Sequence, residues 1–162
     1  MKYLRYFEQI NHKPNTTDVI IESYLETALW VSETSDDHEE FDDKTIFNFS
    51  YNAKKQAKEE IEWFLANAGD VFSEVSDTTI GHDLWLSRNH HGSGFFDRDG
   101  YDEDTAQFLM DLSNILGEIS IYINDRGWID FDGNSKKYKE FDIVKFLKDK
   151  EEKDRIKKYN LL

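Results

Sequence analysis

The sequence predicts an α+β fold: three to four helices packed on a small, mainly antiparallel β-sheet. Three observations predict it. Apolar residues recur at helical spacing in three segments. Two short alternating runs flank Asn124-Asp125-Arg126-Gly127, a hairpin turn signal. A third alternating run, His82 to Arg88, sets Leu84, Leu86 and Arg88 on one strand face and Asp83, Trp85 and Ser87 on the other.

Taken in order, Tyr3, Tyr6 and Phe7 begin a short arm that ends in the polar turn Asn11 to Asn15. Thr17 or Asp18 caps a helix over residues 18–31, with Ile20, Ile21, Tyr24, Leu25, Ala28 and Leu29 on its apolar stripe. Residues 33–43 hold seven acids and read as a solvated loop anchored by Phe41. Ile46, Phe47 and Phe49 suggest a short extended piece. Ser50 or Asn52 caps a second helix over 53–68, buried through Ala57, Ile61, Phe64, Leu65 and Ala68 and stopped by Gly69. Its lysines precede its glutamates, an order that opposes the helix dipole.

Residues 70–80 read as a polar connection to the strand at 82–88. After the glycine-rich turn His91-Gly92-Ser93-Gly94, Asp102 or Asp104 caps a third helix over 104–116, with Ala106, Leu109, Met110, Ser113 and Leu116 inward and Gly117 at its end. Strands at 118–124 and 128–132 complete the sheet. A last helix starts at Asp142 and becomes almost wholly charged beyond residue 148.

Charge divides the 162 residues unevenly. Net charge is −14. Residues 136–162 hold ten Lys/Arg and six Asp/Glu, a balance of +4, so residues 1–135 carry −18. The expected organisation is a single acidic domain over 1–135 and a basic, mostly charged helix or tail over 136–162. An acidic body repels phosphate, which argues against direct nucleic-acid binding. There is no Cys, so disulfides and thiolate metal sites are excluded, in keeping with a reducing cytoplasm. Neither a membrane span nor a signal-peptide pattern is evident.

The stretch from Gly81 to Arg98 concentrates the groups that acid–base chemistry uses: His82, Asp83, Arg88, His90, His91, Asp97 and Arg98. Around them stand Trp85, Asn89, Gly92 and Gly94. No spacing matches a catalytic template. Adjacent His90 and His91 make a poor metal pair, and the acidic loop lacks the glycine of an EF-hand, so no metal or cofactor is expected. In the alternative structural role, Asp97–Arg98 and Asp83–Arg88 pairs satisfy a buried turn.

Several segments together resemble a family of small proteins encoded by phages and related mobile elements. They are Tyr24 to Trp30 with the acidic loop after it, the helix from Ala57 to Gly69, and the strand pair from Ile119 to Trp128. The strongest match runs from Gly81 to Asn89 and through Gly92, Gly94, Phe96, Asp97 and Arg98. The family's central motif has the form G-H-D-F-W-L-T-R-N-G-H-G-A-G-F-W-D-R. Leu84, Ser87, His90, Ser93 and Phe96 depart from it, and His90 stands where the family has glycine. The resemblance covers about residues 20–131 and implies a phage or mobile-element origin more than a chemistry.

Two functions compete. The first is a non-enzymatic inhibitor of a host nucleic-acid defence enzyme, an anti-CRISPR or anti-restriction protein. Its carboxylates would stand where phosphates lie in the groove of a partner such as a Cas effector nuclease. The candidate acids are Asp36, Asp37, Glu39, Glu40, Asp42 and Asp43, with Asp102, Glu103 and Asp104 as a second patch. The second is a small enzyme or ligand-binding module using the His/Arg/Asp cluster at 82–98. An accessory protein that assembles through its basic tail is a third possibility.

Overall fold

Helical stripes this apolar must be covered by one another, and a computed structural model shows how. It describes residues 16–33, 39–72, 74–92, 94–133 and 137–160. The N-terminal arm, and Asp36 and Asp37 of the acidic loop, lie outside these. Helix α1 spans Thr16–Glu33, α2 Tyr51–Ala68, α3 Asp77–Arg88, α4 Glu103–Leu116 and α5 Ile143–Asn160. Strands β1, Ser120–Ile123, and β2, Ile129–Asp132, form a two-stranded antiparallel sheet. The fold is α-rich α+β, with five helices among the described residues rather than three to four. No helix among them is long and apolar enough to cross a membrane.

Local chemistry sets most of the ends. Ser50 Oγ accepts from the Ala53 amide at 3.0 Å and starts α2. Ser76 does the same for α3 through Thr79, and Asp102 for α4 through Thr105 at 2.7 Å. Asp142 Oδ1 takes the amides of Val144 and Lys145 at the head of α5. Gly69 and Gly117 close α2 and α4. Residues 46–48 form a short 3-10 turn rather than an extended piece, and only Phe49 makes a bridge, parallel to Ile129.

The hairpin pairs Ile121 with Phe131 and Ile123 with Ile129. Its turn is closed by the Asn124 side chain, whose Oδ1 accepts from the amides of Arg126 and Trp128.

The largest departure is the stretch 82–88, which is the C-terminal part of α3 and not a strand. Residues 80–88 are all buried except His82. A helix covered on every side has no polar face, so its sequence shows no 3.6-residue period, and the alternation in it is accidental. The sheet accordingly loses its third strand. Helix α3 ends in a Schellman arrangement: the His91 amide reaches Leu86 O at 3.0 Å and the His90 amide reaches Ser87 O at 3.3 Å. His90 therefore sits at the position that favours glycine, with φ of 56°.

The core runs continuously through these helices. Tyr24 meets Trp85 edge-on at 5.0 Å. Phe64 stacks on Phe95 at 5.8 Å, and Phe95 meets Tyr101 edge-on. Helix α5 joins through Phe146, which lies by Phe108 and Phe141. Past Phe146 it is exposed along most of its length.

Helix α3 lies tightly against α1 at Gly81. A Cβ there would lie 2.3 Å from the backbone oxygen of Ile20 and 2.9 Å from the Tyr24 amide. Helix propensity alone favours alanine at this position by about 1 kcal/mol. Gly81→Ala is instead expected to cost about 1–3 kcal/mol, because one helix must be displaced. Urea midpoints of the two proteins measure the sign, and a stabilised variant would mean that α1 yields freely.

Candidate functional site

Arg88 is the largest fully buried side chain among the described residues, with no exposed surface. A lone guanidinium cannot be buried without partners, and the neighbouring elements supply them. Its Nη1 donates to Glu60 Oε2 at 2.5 Å and to Tyr24 Oη at 2.6 Å. Its Nε donates to Gly117 O at 2.8 Å and its Nη2 to Leu116 O at 3.0 Å. The last two acceptors are carbonyls at the C-terminus of α4, where a cation is favoured.

Glu60, itself 1% exposed, also accepts from Gln56 at 3.0 Å. One cation thus ties α1, α2, α3 and the end of α4. Burial opposes the charge on Arg88, but Tyr24 and Glu60 outweigh it and the net shift is upward. Burial holds the Tyr24 hydroxyl far above its ordinary range, with Arg88 pulling the other way.

The second arginine works at the edge of the same helix. Gly94 lies against α3 so closely that a Cβ would meet Ser87 Oγ at 2.3 Å. The Phe95 amide donates to that Oγ at 3.2 Å. The segment therefore folds back along α3 and brings Arg98 onto Asp83. Arg98 Nε lies 3.1 Å from both oxygens of Asp83, and Nη2 lies 3.0 Å from Oδ1. Asp83 is 1% exposed, whereas Arg98 keeps an open side. The hydrogen bonds to Asp83 raise the pKa of Arg98.

The real pairs are Glu60–Arg88 and Asp83–Arg98, not Asp83–Arg88 and Asp97–Arg98. His82 Nδ1 lies 3.3 Å from Asp83 Oδ1, and its ring tilts against exposed Trp30 at 6.1 Å. Tyr101 stands beside this cluster. Its hydroxyl is buried without a hydrogen-bond partner among the described residues. Burial first, then the Asp83 charge, pushes it up to about 12.

The other motif residues divide between frame and surface. Asn89 caps α3, donating to Trp85 O at 3.1 Å and accepting from the Ile119 amide at 2.8 Å. Trp85 is core. Gly92 turns the chain at φ 78°. His91 and Asp97 are exposed. Of the predicted acids, Glu39 opens a 3-10 turn that holds Phe41 in the core. Glu40, Asp42 and Asp43 are exposed, and Asp43 pairs with Lys44 at 2.7 Å, which lowers its pKa. Asp102, Glu103 and Asp104 are exposed at the head of α4, and the Thr105 amide holds Asp102 below the usual carboxylate range.

Chemically, the cluster at 82–98 is largely occupied by the fold. Asp83 can orient the His82 imidazole, but both its oxygens are engaged by Arg98. No serine or threonine hydroxyl hydrogen-bonds to His82 among the described residues. Nor do these residues contain a group of three or more His, Asp or Glu placed to hold a metal ion. Sequence reasoning missed Tyr24 and Glu60 as members of the network. A glutamate at a core-stripe position of α2 was the available signal, since Glu60 falls between Ala57 and Phe64 on the buried face. No protein-family model, curated protein or solved structure matches the chain.

Removing Arg88 alone leaves Glu60 buried and unpaired. Arg88→Met is expected to lose about 3–5 kcal/mol, and Glu60→Leu added to it should recover the part due to the unpaired carboxylate. Equilibrium unfolding of the single and double variants tests this; a double variant no more stable than Arg88→Met would deny the charge pair its role.

A second expectation concerns alkaline pH. Between pH 10.0 and about 12 an unfolded Tyr101 has lost its proton while the folded one keeps it. The unfolded state then binds fewer protons, so stability falls as pH rises through that window and is unaffected below it. Tyr101→Phe should flatten part of this fall while changing stability little at neutral pH, as followed by urea unfolding across the window.

Proposed function

We propose that this chain is a non-enzymatic binding protein whose acidic surface docks in the cationic nucleic-acid groove of another protein. A host defence enzyme, such as a Cas effector nuclease or a restriction enzyme, is the partner class. One observation carries the reading. The arginines at 82–98 serve internal contacts, whereas Asp97, Asp99, Asp102, Glu103 and Asp104 stand exposed within one short segment. None of these five has an ion-pair partner among the described residues.

Carboxylates left unpaired at a surface keep their field in solvent. On a chain of net charge −14 that field attracts a basic cleft over a Debye length of about 8–10 Å. Exposed Asp42 adds a further carboxylate to the surface. The phage-type resemblance of the 81–98 motif supports a defence enzyme as target. An enzymatic role for His82 has less support, because its carboxylate partner is already clamped.

The test leaves the α4 cap intact. Asp97→Lys, Asp99→Lys, Glu103→Lys and Asp104→Lys are combined, and the chain competes with duplex DNA for a panel of Cas nucleases and restriction enzymes. Four exposed pairs at about 0.2–1 kcal/mol each imply a loss of about fourfold to several hundredfold in competition. The parent's competition should also weaken as salt rises. A charge-reversed chain that competes as well as the parent at low salt would remove this face as the mimic.

A further inference from the structure

The hairpin turn and the start of α2 enclose an open groove of about 530 Å3. Phe47, Tyr51, Lys54, Arg126, Trp128 and Asp130 line it. Three of these are rings held in solvent: Phe47 is 70% exposed, Tyr51 78% and Trp128 45%. Exposed rings gathered at one concavity favour a flat partner that covers them. The sequence places these residues in a short extended piece, the start of a helix and a hairpin, and none of them among its candidate site residues.

The groove's charge is opposite to that of the body. Neither Lys54 nor Arg126 has an ion-pair partner among the described residues, on a chain where carboxylates greatly outnumber cations. The carboxylate in the lining, Asp130, takes the Ser50 hydroxyl on one oxygen and Asn124 Nδ2 at 2.6 Å on the other. It braces the two walls, and each oxygen retains a lone pair for a further donor. Two free cations, a cluster of exposed rings and a hydrogen-bond acceptor complement one ligand chemistry.

We propose that this groove binds a nucleotide, with its base against the aromatic side chains and its phosphates on Lys54 and Arg126. Base–aromatic stacking and cation–phosphate bonds are the two contacts such a ligand requires. The volume suits a small ligand. The chain's net charge of −14 opposes each further phosphate of a strand, which favours a mononucleotide over a nucleic acid. This inference does not depend on the acidic face or its partner.

Isothermal titration of ATP, and separately GTP, into the full chain tests it. Saturable one-to-one binding of at least one of them is expected, with adenosine or guanosine and inorganic phosphate each binding more weakly. Trp128→Ala should weaken binding by about tenfold or more, and Arg126→Ala by a similar factor. Phe47→Ala, at a more exposed ring, serves if Trp128→Ala fails a circular-dichroism check of folding. Absence of saturable binding by both nucleotides overturns the proposal. So does inorganic phosphate binding as tightly as ATP, oligothymidylate binding that strengthens with length, or an acidic aromatic peptide binding more tightly than either nucleotide.

Discussion

The Arg88 guanidinium is the constraint around which the helices are arranged. A cation with no exposed surface needs an anion and a set of acceptors, and here these come from three separate elements. Tyr24 must face inward from α1, Glu60 from α2, and α4 must end with its last carbonyls turned toward α3. Each requirement narrows how the helices can be rotated and shifted. An apolar core of the same volume tolerates many near-equivalent packings, whereas one unsatisfied donor in this network costs about 1–3 kcal/mol. The network therefore selects one arrangement more strongly than it stabilises it.

The close approach at Gly81 follows from the same geometry. Tyr24 lies on α1 beside the Gly81 contact, and its hydroxyl reaches Arg88 two turns further along α3. Gly94 repeats the device outside the helix, letting the returning segment touch Ser87 and deliver Arg98 to Asp83. Small residues set the distances and charged pairs set the register. A stretch rich in histidine, arginine and aspartate can in this way belong to the framework of a fold.

That assignment moves functional interest to the surface, where two regions of opposite character lie. The segment from Asp97 to Asp104 presents carboxylates without ion-pair partners among the described residues, and the cap itself holds Asp102 below the usual carboxylate range. The groove at Trp128 presents rings, with Lys54 at the head of α2 and Arg126 in the hairpin turn, neither ion-paired among the described residues. A docking face and a small-molecule site are compatible on one chain, because screening limits how far either field extends.

The local features were legible in the sequence. The hairpin at Asn124–Gly127 was, because its turn is closed by neighbours within four residues. So were the stripes of α1, α2 and α4, since each helix has one buried side and periodicity records it, and the caps of α2 and α4 were narrowed to two residues each, Ser50 and Asp102 among them. Helix α3 was not legible: buried all round, it shows no polar face, and its alternating residues imitate a strand. The pairing of its charges was equally hidden. Arg88 lies 28 residues from Glu60 and 64 from Tyr24, and Arg98 lies 15 from Asp83. The sequence by itself determined the one-sided helices α1, α2 and α4 and the hairpin, because these depend on residues a few positions apart, and the acidic balance, which is a matter of composition. Only the tertiary structure decided which charges are internal and which face solvent, because burial and pairing depend on residues that meet only once the helices have packed.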